Sequence, residues 1–254
     1  MQLFFRELGE NNSKAIIILH GLFGSSDNWL TLSKILAEKY RVFLLDQRNH
    51  GRSPHSEIHN YQVLSEDLNE FIETQKLDKP ILIGHSMGGK TVLNYVNSFS
   101  NWDSIIAVDM GVKQYLPHHQ NILEAMNAID LQALTSRNDA DLVLQKYGLD
   151  LGNRQFLLKS LYKTEDDQFA WRMNLKLLSK DIENIYEKLE FKQAISGKVL
   201  FVRGGNSNYV LDSDFSEIKK YFPDAKLESV LGAGHWVQAE KPAEFLAVVQ
   251  NFIS

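Results

Sequence analysis

Hydrophobic and polar positions alternate along this chain in two recurring styles. Short, largely apolar runs are the first: Ala15–Leu19, Arg41–Leu45, the Ile81–Ile83 run, Ser104–Asp109 and Lys198–Val202, with Lys226–Leu231 reading as a further, more polar strand. A run of four to six apolar residues bounded by turn residues predicts a strand covered on both faces, as in a parallel sheet. Helical spacing is the second. Leu32, Ile35 and Leu36 share one stripe, as do Leu64, Leu68, Phe71 and Ile72 within Gln62–Gln75. Phe245, Val248, Val249 and Phe252 do the same in Pro242–Ile253, where proline suits the first helical position. Leu3–Leu8 alternates weakly and reads as a strand before the turn cluster Gly9–Ser13.

Strand and helix patterns in alternation predict an α/β fold, a doubly wound and mostly parallel sheet. The alternation pauses between residues 111 and 196. Only helical patterns are read there: Asn121–Ile129, Asp139–Tyr147, Gln155–Tyr162 and Met173–Leu189. The expectation is a core of residues 1–110 and 197–254 interrupted by an all-helical lid, 111–196. Following a strand's C-terminal end, such an insertion lies over the edge where open α/β sheets bind ligands.

Chemistry enters at Gly84-His85-Ser86-Met87-Gly88, between the Ile81–Ile83 run and the helical Thr91–Val96. A G-x-S-x-G sequence between strand and helix holds its serine on a tight turn with the hydroxyl projecting. Glycines two residues either side remove side chains that would collide. A serine nucleophile needs a base and a group to orient that base. Of eight histidines, His235 in Gly232-Ala233-Gly234-His235-Trp236 follows the last strand on the serine's edge and is the candidate base. His85 is expected to point away from the hydroxyl, and His20 to tie loops together. His50, His55 and His59 fall in a polar loop, and the pair His118 and His119 reads as a surface feature. An acyl-transfer intermediate carries an oxyanion, for which two backbone N–H donors are expected. Met87 supplies one; Leu22, or else Phe23, supplies the other after His20-Gly21.

Composition narrows the class. Net charge is −5 with Lys and Arg scattered, which argues against a nucleic-acid partner. With no cysteine there are no disulfides or thiolate metal sites, and no His/Asp/Glu spacing suggests another metal or cofactor. The N-terminus reads as a strand rather than a signal peptide, and no apolar run is long enough to span a bilayer. The expectation is a cytoplasmic protein, with oligomeric state left open.

The segments His20–Ser25, Asp46–Ser53, Gly84–Lys90, Gly204–Ser207 and Gly232–Trp236 together resemble the α/β-hydrolases, and closely the YbfF-type bacterial esterases. The resemblance runs from about residue 2 to the C-terminus. It implies an α/β-hydrolase fold and a carboxylic-ester hydrolase acting on small to medium acyl esters or thioesters through an acyl-enzyme. A C–C bond hydrolase, a lactonase or a non-catalytic small-ligand receptor on the same fold are the alternatives.

The resemblance departs at the acid. Most α/β-hydrolases carry it after the strand that here is Lys198–Val202, where this chain has Ser207. The fold's other location is the end of the preceding core strand, here Asp109, so the implied catalytic set is Ser86, His235 and Asp109. Ser207 is assigned a supporting hydrogen bond to Asp109 or His235, while Asp212 and Asp214 read as solvated helix-start residues. Asp46 and Arg48 are expected to pair and hold their loop. Phe23, Met87 and Trp171 are offered for an apolar acyl pocket or for lid core. Arg172 is read either as a contact to an anionic substrate group or as a lid salt-bridge partner.

Overall fold

The computed structural model describes residues 1–254. In chain order its elements begin β1 (Phe5–Leu8), β2 (Ala15–Leu19), α1 (Leu30–Leu36), β3 (Arg41–Leu45), α2 (Tyr61–Thr74), β4 (Ile81–His85), α3 (Met87–Tyr95) and β5 (Ser104–Val108). The insertion follows with α4 (Gln120–Asn127), α5 (Arg137–Lys146), α6 (Leu151–Leu158), β6 (Leu161–Lys163), β7 (Phe169–Trp171), α7 (Leu175–Lys180) and α8 (Glu183–Tyr186). The chain closes with β8 (Lys198–Gly204), α9 (Asp212–Tyr221), β9 (Lys226–Val230), α10 (Val237–Glu240) and α11 (Pro242–Ile253).

Seven strands form one sheet in the order β1-β3-β2-β4-β5-β8-β9. Only β1 runs antiparallel to its neighbour; the other pairings are parallel. The apolar runs are explained by this arrangement. Ile16 and Ile18 face one layer with α1 and α11, while Ile17 and Leu19 face the opposite layer with α2 and α3. Each strand therefore needs apolar residues at both parities. On α1 the expected stripe narrows: Leu32 and Leu36 are buried and Ile35 is 42 % exposed.

From β2 the chain passes to β3 on one side and returns to β4 on the other. The reversal opens a crevice at the C-terminal ends of β2 and β4, the usual ligand position in such sheets.

The insertion is not purely helical. Where helical spacing predicted Gln155–Tyr162, α6 stops at Leu158 and β6 pairs with β7 as a short antiparallel hairpin. Leu161, Phe169 and Trp171 are buried on one face of the hairpin, while Tyr162 and Ala170 between them are only partly buried, a period of two. The polar turn between the strands closes through Asp167 N–H to Thr164 C=O at 3.0 Å. An ion pair of helical spacing, Lys163 with Asp167, spans that turn and mimics a helix in the sequence. Within Met173–Leu189 two short helices, α7 and α8, replace one long one. Leu144, Leu157, Leu178 and Ile185 of the insertion share one apolar core with α2, α3 and that face of the sheet.

Candidate active site

The turn after β4 is as tight as its glycines require. A Cβ on Gly84 would lie 2.0 Å from the Gly88 carbonyl oxygen, and one on Gly88 would lie 2.5 Å from that of Leu19. Ser86 between them has φ 52° and ψ −117°, a conformation L-residues rarely adopt. Its N–H donates to Val108 C=O at 3.0 Å. Its hydroxyl makes no hydrogen bond within the protein, and the residue lines a cavity of about 330 Å³ together with His235.

Asp109 follows β5 directly, with φ 47°. The structure brings its carboxylate, wholly buried, under the His235 loop. Oδ1 accepts Gly204 N–H at 3.1 Å, and Oδ2 accepts both Ser207 Oγ–H at 2.5 Å and His235 Nδ1–H at 2.7 Å. Because an ionised carboxylate only accepts, Nδ1 carries the imidazole proton and Nε2 keeps its lone pair. Asp212 and Asp214 are engaged elsewhere. Asp212 pairs with Arg203 at 2.6 Å, and Asp214 accepts Leu211 N–H at 2.8 Å and Lys113 Nζ at 2.5 Å.

The two loop candidates for an oxyanion donor separate cleanly. Phe23 N–H donates to His50 Nε2 at 3.2 Å, whose Nδ1–H in turn donates to Arg48 C=O at 3.0 Å. Leu22 N–H and Met87 N–H have no acceptor in the protein. Phe23 instead contributes its side chain to the cavity wall. His20 does tie loops: Nδ1–H donates to Gly21 C=O, and Nε2 accepts Gln47 N–H at 3.0 Å.

Three readings change. Asp46 and Arg48 do not pair: Arg48 binds Asp67 through two bonds of 2.6 and 2.8 Å, and Asp46 accepts Ser26 and Arg52 N–H. Asp67 on α2 faces Arg48 and so offers a buried bidentate partner, while Asp46 is already claimed by backbone donors. His118 and His119 are not surface features but line the cavity. Burial lowers His119 to about 3, so it stays neutral, and Tyr186 OH meets its Nδ1 at 3.0 Å. His85 lines the cavity as well, its Nε2–H donating to His235 C=O at 2.9 Å, and it makes no hydrogen bond to Ser86. Burial lowers it to about 3, so it too is neutral. Arg172 forms no ion pair; its guanidinium sits 4.3 Å over the Tyr162 ring in the hairpin. Trp171 and Met87 are buried outside the wall.

Tyr209 was invisible in the sequence. Its ring stacks on His235 with centroids 3.8 Å apart and planes 17° apart. Its hydroxyl meets His118 Nε2 at 2.5 Å. No short-range pattern marks an aromatic two residues after Ser207. No group of three or more His, Asp and Glu side chains is arranged to hold a metal ion.

A hydroxyl on a strained turn, an imidazole with a free Nε2 and a buried carboxylate behind it can carry out acyl transfer. Comparison with known proteins gives the family. Residues 14–242 match the profile of the alpha/beta hydrolase fold family. An Escherichia coli protein described as esterase YbfF is 34% identical over 96% of this chain and 95% of its own. A Mus musculus protein described as an sn-1-specific diacylglycerol lipase is 36% identical over 97% of this chain and 83% of its own. A solved structure of a marine microorganism esterase superposes with a TM-score of 0.96 at 37% identity, covering 99% of each chain.

Proposed function

From the premise that this chain belongs to the α/β hydrolase fold family and is a carboxylic-ester hydrolase, we propose that it works through an acyl-enzyme on Ser86. Ser86 Oγ attacks the acyl carbon while His235 Nε2 takes its proton. The carbonyl π electrons move onto oxygen, which Leu22 and Met87 N–H receive. Each such donor contributes about 3 kcal/mol to the transition state in comparable sites. Asp109 fixes the imidazole tautomer and stabilises the imidazolium. As the intermediate collapses, the imidazolium returns its proton to the leaving alcohol or thiol. Water then repeats the sequence on the acyl-enzyme, with His235 as its base.

One observation carries this reading: His235 Nδ1 lies 2.7 Å from buried Asp109 while His235 and Ser86 open onto one cavity. That cavity, about 330 Å³, suits acyl groups of small to medium size. Its lining includes Leu22, Phe23, Ile122, Phe156, Leu157 and Trp236 but neither lysine nor arginine, which suits uncharged acyl chains. We assign residues 111–196 to a lid, since α4 and α6 supply Ile122 and Phe156 to the wall. No helix is long and apolar enough to cross a membrane.

A fluorophosphonate probe followed by peptide mass spectrometry tests the assignment. An adduct on Ser86 is expected in the wild type and not in Ser86→Ala, with turnover of p-nitrophenyl butyrate lost in parallel. An unlabelled Ser86 in folded protein would turn the reading toward a small-ligand receptor. A screen of matched oxygen esters, thioesters, lactones and C–C substrates then fixes the bond cleaved.

A further inference from the structure

The loop that carries His235 is held by side chains at the backbone of three consecutive residues, 234 to 236. His85 Nε2–H binds the His235 carbonyl at 2.9 Å. On either side, a single carboxylate takes the flanking N–H groups. Glu240 Oε2 accepts Gly234 N–H at 2.8 Å, and Oε1 accepts Trp236 N–H at 3.2 Å. Neither N–H has another acceptor. Residue 234 is glycine where a Cβ would stand 3.1 Å from Glu240 Oε1, so the carboxylate can close on the loop. Glu240 ends the four-residue α10 and lines the cavity. It forms no ion pair, although Lys241 is next in sequence. Its acceptor capacity is directed to the backbone beside the base.

We infer that Glu240 is a positioning residue: its carboxylate clamps the backbone on both sides of His235 and so sets the imidazole between Asp109 and Ser86. The inference rests on the role proposed for His235. Asp109 fixes one ring nitrogen at 2.7 Å and the stacked Tyr209 ring holds the imidazole plane, so the freedom that remains is that of the loop backbone carrying the ring. Clamping the main chain at 234 and 236 removes that freedom. A loop released at both points displaces Nε2, and a misplacement of about 1 Å can cost 10²-fold in rate.

Glu240 is exposed, so its truncation opens no core cavity and the variants should fold. Glu240→Ala is expected to lower kcat by about 10-fold to 10²-fold with KM within about twofold, because the contact acts on the base and not on substrate. Glu240→Gln keeps one acceptor oxygen and should fall between the two. A second readout needs no turnover. The proton between His235 Nδ1 and Asp109 should give a low-field NMR resonance in the wild type, weakened in Glu240→Ala and partly restored in Glu240→Gln. Wild-type kcat in Glu240→Ala, or an unchanged resonance whatever the kcat, overturns the inference. Failure of the underlying reading looks different: His235→Ala would then keep its turnover. Loss of turnover in His235→Ala with none in Glu240→Ala overturns the positioning role alone.

Discussion

Replacing Asp109 by asparagine tests the site most sharply, because the change keeps shape and alters hydrogen-bond polarity. The backbone should tolerate it: φ is 47°, and asparagine is among the residues that accept the left-handed region. The carboxylate accepts three bonds, from Gly204 N–H, Ser207 Oγ–H and His235 Nδ1–H. An amide has one accepting oxygen and one donating NH₂. With the oxygen kept toward Gly204, the NH₂ faces Ser207 and His235. Ser207 can rotate its hydroxyl and accept. His235 can accept only by moving its proton to Nε2, which removes the base from Ser86. The flipped amide sets NH₂ against Gly204 N–H, two donors in a buried site. The expected loss is therefore that of a wrong tautomer and a missing charge, up to about 10⁴ in kcat or about 5.5 kcal/mol. Stability should change far less. Losing a charge-assisted bond costs about 1–3 kcal/mol, which lowers the unfolding temperature by less than roughly 10 °C in a domain of this size. The assay is steady-state hydrolysis of p-nitrophenyl butyrate, alongside thermal unfolding. A folded Asp109→Asn enzyme with kcat within about tenfold of wild type would refute the reasoning and return the search to other carboxylates.

Three further outcomes are expected. Ser207→Ala removes one of the three bonds to Asp109 and should cost about tenfold in kcat, measured in the same assay. Ser86→Gly should abolish turnover, by about 10⁶ as for other serine nucleophiles, while raising unfolding free energy by about 1 kcal/mol as the strained backbone is relieved. Urea unfolding at matched pH checks the gain, and a loss of stability would contradict it. Lys90 lies fully buried, its amine donating to Glu187 C=O and sitting 4.9 Å from the Tyr115 ring centre. Burial lowers its pKa from 10.5 to about 7. Between about pH 7 and pH 10 the unfolded chain therefore holds more protons than the folded one, and Lys90 makes stability rise with pH by up to about 1.4 kcal/mol per unit. Lys90→Met should be the more stable protein near pH 7, with its advantage shrinking as pH rises; a gap independent of pH would contradict this.

Much of the molecule was legible in one dimension. The buried strands are continuous apolar runs because alternate residues serve opposite layers, as Ile16 and Ile17 do. The serine turn was legible because its strain is local: Gly84 and Gly88 sit where any Cβ would strike backbone. The hairpin Leu161–Trp171 was not, because three-residue strands are too short for a period of two to stand out from helical spacing. Asp46, Arg48 and His118 went astray for another reason. Each had a plausible partner nearby in sequence or none at all, and the fold supplied Asp67 and Tyr209 from elsewhere. The carboxylate behind His235 was reached through the resemblance to known hydrolases and not through spacing along the chain. Asp109 stands 126 residues before that histidine, and only the pairing of β5 with β8, and of β8 with β9, sets their loops side by side. Periodicity and turn strain are settled between residues a few positions apart, so the sequence carries them. Which acid meets which base depends on strand order, which only the packed sheet decides.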